Sequence, residues 1–217
     1  MRYAVLIASL LFLAACEWPA QDSAPAGDPL ADADTLAHAD TLHLPETQQD
    51  TLWIEGMAEP TVLHLYRSGD DFPMPFRTYL PGEWRIEDIP EERSIAFTPV
   101  GPLAGRARVS VRAYPPAMTL TDAVERLHIR TAFDAEAPQP ATVAAAEERP
   151  EWAITEMVAV AGPLVRRSLL GAHGGRFFEI VARYPVEAGD GFEPRKDKIL
   201  SEWRWEDTGE PLTLPSP

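Results

Sequence analysis

Three stretches of this 217-residue chain carry residue types that could do chemistry. In the segment RYPVEAGDGFEPRKDKILSEWRW, Asp190-Gly191 and Asp197 fall at the fifth, sixth and twelfth positions of a calcium loop. Positions one and three would be Val186 and Ala188, whose side chains offer no oxygen, so the loop fails as a cation site. The segment AHGGR, Ala172 to Arg176, has the composition of a His-Gly-Gly oxyanion loop. Two glycines between apolar runs also make a tight hairpin turn, and the turn is the reading adopted. In RARVSVRAY, strand alternation puts Arg106, Arg108 and Arg112 on one face and Val109, Val111 and Ala113 on the other. With Arg167 and Arg183 on neighbouring strands this face would be a cationic stripe, suited to a carboxylate, a phosphate or a partner's acidic patch. The competing use of these arginines is cross-strand pairing with residues such as Glu179.

No other constellation stands out. No serine sits in a Gly-x-Ser-x-Gly elbow, and no Gly-rich phosphate loop follows a strand pattern. His64 and His128 are single residues within a strand pattern and a helix pattern, and read as packing or surface residues. Cys16 is the only cysteine, which rules out a Cys-rich zinc site and an intramolecular disulfide. His38 and His43 lie beside Asp34 and Asp40 in a polar segment and read as solvated. The expectation is no catalytic residue, no metal ligand and no cofactor.

At the start of the chain, residues 3–12, YAVLIASLLF, form a short apolar run behind Arg2. A membrane-crossing helix needs about 20 apolar residues, so this run fits the core of a secretory signal instead. The residues that close it, Leu13-Ala14-Ala15-Cys16, resemble the lipobox of bacterial lipoproteins. That resemblance implies cleavage after residue 15, acylation of Cys16 and a membrane anchor made of lipid, with no transmembrane segment. Three acyl chains would hold it durably, where one holds a protein only marginally. Glu17, in place of the Asp that favours the inner membrane in the family's sorting rule, implies the outer membrane.

Behind Cys16, residues 16–50 are rich in Ala, Asp, Pro and Thr and repeat ADTLAH as ADTLHL. With no sustained apolar period, burial cannot offset the entropy of ordering them, and they read as a disordered acidic tether. From Glu17 to Glu59 there are ten acidic residues and no lysine or arginine. As a coil of about 34 residues such a tether spans on the order of 30 Å. The whole chain has a formal net charge of −15. Residues 61–217 hold 24 acidic and 18 basic residues, and nothing in this balance argues for nucleic acid, whose phosphates need a basic surface.

The elements that must position the arginines follow from Thr51 onward. LWIEGM and TVLHLYR read as strands separated by an Ala-Glu-Pro break, and FRTYL, WRIEDI, SIAFTPV and RVSVRAY as further strands. TLTDAVERLHIRTAF has Leu120, Val124 and Leu127 at helical spacing, with Thr119 and Asp122 as a capping box. After a loop, WAITEMVAVAG, LVRRSLLGAH and RFFEIVARYP read as three strands in succession. The chain then turns at Gly189 to Gly191 and closes in a helix with Pro194 at its first position. Phe192, Ile199, Leu200 and Trp203 would pack inward, while Arg195, Lys198, Glu202 and Trp205 look outward. This order predicts an α+β fold, an antiparallel β-sheet with flanking helices.

FRTYLPGEW (Phe76 to Trp84), TLTDAVERL (Thr119 to Leu127) and the run from Gly174 to Trp203 resemble the PsbP-like superfamily. The resemblance implies an α/β sandwich across 51–207, preceded by the tether at 16–50 and followed by a disordered tail at 208–217. It also implies action by binding rather than catalysis. The expected function is therefore a non-enzymatic binding or assembly module of the cell envelope, held at the membrane through Cys16 and engaging an envelope protein. The alternative is an enzyme or metal-dependent factor with a site assembled from loops.

Overall fold

The computed structural model describes residues 44–133, 142–145 and 148–212. The segment 1–15, Cys16, His38 and His43 lie outside these residues. In chain order the strands are β1 (Thr47–Ile54), β2 (Met57–Arg67), β3 (Phe76–Pro81), β4 (Trp84–Ile89), β5 (Ser94–Pro99) and β6 (Arg108–Ala113). Helix α1 (Leu120–Phe133) comes next, then β7 (Thr142–Val143), β8 (Thr155–Ala161), β9 (Leu164–His173) and β10 (Arg176–Pro185). Helix α2 (Gly189–Ser201) and β11 (Arg204–Trp205) close the described chain. The strands form two antiparallel sheets rather than one, ordered β1-β2-β3-β11 and β4-β5-β6-β10-β9-β8-β7. The fold is α+β, with a helix against each sheet.

The hairpins follow from local chemistry. Gly174 and Gly175 turn the chain from β9 to β10 at φ 54° and 73°, so AHGGR is a turn. Glu55 and Gly56, at φ 51° and 76°, make the corresponding turn between β1 and β2, a conformation that matches strand twist. The expected break at Ala58 to Pro60 therefore falls inside β2. Pro60 sits opposite Thr51, in the part of β2 that lies beyond β3, whose pairing starts at Leu63 opposite Pro81. A proline is tolerated where only one side of a strand must bond. Because β1 begins at Thr47, the last residues assigned to the tether belong to the sheet. The tail is likewise shorter than expected: Glu210 accepts a hydrogen bond from the Trp205 amide at 2.9 Å, and Leu212 packs on the core.

The main core joins both sheets to α2. Phe76 and Leu80 of β3 and Ile95 and Phe97 of β5 meet Val109 and Val111 of β6, together with Phe178, Ile180 and Ala182 of β10. Trp203 stacks on Phe76 at 3.7 Å between ring centres. A smaller core lies on the opposite face of the seven-stranded sheet, where Ala123 and Leu127 of α1 cover Tyr114, Met157 and Leu170. The Thr119 hydroxyl caps α1, accepting from the Asp122 amide at 3.2 Å and donating to its carboxylate at 2.7 Å.

Helix α2 departs from expectation at both ends. It starts at Gly189 and holds Pro194 inside it, because a short turn at Val186–Ala188 already leads the chain in. Phe192 then anchors the first turn against Tyr184, at 5.1 Å. Proline gives no N–H to the carbonyl four residues back, a cost accepted here for that anchor. Phe192, Ile199, Leu200 and Trp203 are buried as expected. Trp205 is buried too, since β11 pairs it opposite Phe76 and its ring lies 4.3 Å from His173. On the outer side, Arg195 meets Glu59 at 2.6 Å, and Lys198 bridges Asp50 at 2.5 Å and Glu202 at 2.7 Å.

Under α2 lies a set of charges. Arg167 Nε donates to Glu156 Oε1 at 2.6 Å, and Glu156 is fully buried. Arg167 also reaches Glu193 at 3.5 Å, which accepts from the Tyr184 hydroxyl and the nearly buried Lys196. Burial opposes the charged form of Glu193, but Lys196, Tyr184 and Arg167 outweigh it and hold the carboxyl below its ordinary value of 4.5. Its contribution to stability is present above that value and is lost as the pH falls through the lowered folded value.

Trp203→Ala should cost about 3–5 kcal/mol in urea unfolding, the range for emptying a buried aromatic site; a loss below about 1 would refute the stacking role. Arg167→Met should cost about 3–5 kcal/mol because it strands Glu156. The double variant Glu156→Leu/Arg167→Met should recover most of that loss, and no recovery would show that packing rather than charge is at stake.

Candidate anion-binding site

Strand register fixes what the outer face of the seven-stranded sheet presents beside α1. Arg183 of β10 lies opposite Arg108 of β6 and opposite Arg166 of β9, so three arginines form one row across three strands. Neighbouring strands are about 4.8 Å apart, and like charges placed directly opposite destabilise a sheet. The next row inward is made of short side chains: Ala96 opposite Ser110, Ser110 opposite Val181 and Val181 opposite Ser168. Beyond it, Arg112 lies opposite Ser94 and opposite Glu179. Long cationic side chains therefore wall a floor of small ones, and a trough of about 350 Å³ results. Arg130 closes it from the last turn of α1, making five arginines around the space with Ser94 and Ser110.

Carboxylates offset part of this charge. Glu92 holds Arg112, and Glu87 stands 3.6 Å from Arg108. Glu179, fully buried, lies 3.6 Å from Arg130 and 3.9 Å from Arg166. The Tyr114 hydroxyl donates to Glu179 Oε2 at 3.1 Å. Burial first, and the Glu179 charge second, push the Tyr114 phenol well above its ordinary range, so it stays a donor. Among the described residues, five guanidinium groups stand against three carboxylates around the trough. The buried Nε–H groups of Arg108, Arg112 and Arg130 have no hydrogen-bond partner among the described residues. Arg183 is exposed, and no described carboxylate pairs with it within 4.0 Å. Unpartnered buried donors of this kind are rare in native proteins. A bound oxyanion in the trough would relieve the like-charge row.

Of the arginines singled out by strand alternation, Arg108, Arg112 and Arg183 come together here. Arg106 does not: it precedes β6 and pairs with Glu187 in the turn before α2. Arg167 faces the opposite side, opposite Ala182, in the charge set under α2. Arg130 and Arg166 complete the trough and were not foreseen. Arg166 and Arg167 are sequence neighbours on one strand, and only the register against Ala182 and Arg183 decides which of them faces outward. The pairing with Glu179 weighed from sequence involves Arg130 and Arg166. His64 and His128 are both exposed and lie outside the trough.

No protein-family model matches this chain, and no curated protein matches it.

Two substitutions separate the structural from the unsatisfied part of the trough. Tyr114→Phe removes the donor to a buried carboxylate and should cost about 1–3 kcal/mol. Arg183→Ala removes an exposed group with no ion pair and should change stability by less than about 0.5 kcal/mol. Urea unfolding of both checks the contrast, and a large loss for Arg183→Ala would make that residue structural.

Proposed function

We propose that this chain is a non-enzymatic binding protein of the bacterial cell envelope, anchored by lipid at Cys16, whose domain takes an anionic group into the arginine trough. The observation that carries the binding role is the space walled by five arginines, among them the exposed Arg183, which lies opposite Arg108 and Arg166. Guanidinium forks match the planar carboxylate and the tetrahedral phosphate, so both belong to the expected ligand class. Leu13-Ala14-Ala15-Cys16 supports the lipid anchor and, with Glu17, an outer-membrane location. No helix among the described residues is long and apolar enough to cross a membrane. A PsbP-like assignment for the domain is supported by FRTYLPGEW, which forms β3, a turn and the start of β4, and by TLTDAVERL, which caps and opens α1.

The two parts are tested separately. In a bacterial host, the chain should incorporate labelled palmitate and sediment with membranes. Cys16→Ala should abolish both; retained label would refute the anchor. For binding, the full chain carrying Cys16→Ser is titrated with inorganic phosphate and with citrate. A ligand at one hundred times its Kd stabilises by about 2.7 kcal/mol, which thermal unfolding detects. Stabilisation by either anion that disappears in Arg183→Ala supports the trough as the site, and no effect of either anion overturns it.

A further inference from the structure

Arg130 does not face the trough alone. The same side chain closes one end of a second and larger space, a groove of about 770 Å³ along the exposed flank of α1. Pro115, Ala117 and Met118 line it from the loop before the helix, and Arg126, Ile129 and Arg130 from the helix itself. Ile129 is 45% exposed, a large apolar side chain left on the surface of an acidic domain. Along the helix axis Arg130 and Asp122 mark the two ends of the groove, with Glu125 and Arg126 side by side between them. From Arg130 back to Asp122 the helix rises roughly 12 Å, the length of an extended chain of about eight to ten carbons. One cationic hollow and one apolar groove therefore share a wall, with the donors at one end and the apolar surface leading away from them.

We infer that the ligand is a single-chain anionic amphiphile, its carboxylate or phosphate head among the arginines and its alkyl chain lying over Met118 and Ile129. This inference rests on the reading of the trough as an anion site and adds to it the chemistry of the rest of the ligand. The head would pair with the guanidinium groups that line the trough. The chain would cover Ile129. Asp122 at the far end would penalise a second anionic group there. A small inorganic anion would use the trough and leave the groove empty. A ligand with anionic groups at both ends would place one of them against Asp122.

The experiment uses the full chain carrying Cys16→Ser, titrated by calorimetry without detergent. The probes are inorganic phosphate, the alkanoates from butyrate to decanoate, and octyl phosphate, each kept below its aggregation concentration. Burying a methylene fully strengthens binding about fourfold, and the open groove should give about two- to fourfold per methylene up to the length of the groove. Ile129→Gln, at an exposed helical position, should flatten this dependence on chain length and leave phosphate binding unchanged. Arg183→Ala should weaken every probe. Comparing octanoate with octyl phosphate separates a fatty-acid head from a phospholipid-type head. If phosphate binds and chain length adds nothing, the amphiphile is overturned and the anion site stands. If no probe binds, both readings fall. A chain-length dependence that survives both substitutions places the alkyl chain elsewhere and overturns the inference.

Discussion

The register of β10 between β6 and β9 is the constraint on which the rest depends. Side chains alternate strictly along a strand, so a slip by one residue would exchange the two faces of the sheet. The apolar set Phe178, Ile180 and Ala182 admits one orientation, because it must meet Val109 and Val111 and the aromatic cluster around Phe76 and Trp203. Once those residues point inward, Arg183 has to point outward, and so do Arg108 and Arg166 on its neighbours. The arginine row is thus held in place by hydrophobic burial on the other side of the same strands. An arrangement that like charges resist is imposed by a core that costs more to disturb.

The same logic explains why Arg167 takes the opposite role. It sits across from Ala182 on the core face, where a guanidinium is tolerable only with buried anions beside it. Glu156 and Glu193 supply them, and Lys196 and Tyr184 complete the set. Two adjacent arginines on one strand therefore serve different ends. One is locked into an internal charge set and the other opens onto a solvent-accessible hollow.

Much of the architecture is legible in the sequence, since period-two alternation and turn residues mark nearly every strand. The site is legible only in part. Arg108 and Arg112 share a face by simple alternation, which requires no knowledge of neighbours. Arg166 and Arg130 required the pairing of β9 with β10 and the placement of α1, both long-range facts. The run Leu169-Leu170 hides the phase of β9, because both residues are buried although they point to opposite faces. Trp205 reads as outward from helical spacing for a similar reason: its buried position depends on a two-residue strand too short to leave a periodic signal. Arg106 was assigned to the strand two residues before the ladder begins.

Thr47 opens the first strand, and β1 is the edge of its sheet. Any tension transmitted from residues before 44 therefore enters the domain through β1. Its eight residues are paired along their whole length with β2. A pull directed along the strand loads those perpendicular bonds together, while a pull across the sheet peels them one pair at a time from Thr47 opposite His64. Lys198, bonded to Asp50 from α2, clasps the strand partway along. The domain's resistance to being dragged by its N-terminal end is then a matter of direction as much as of folding free energy.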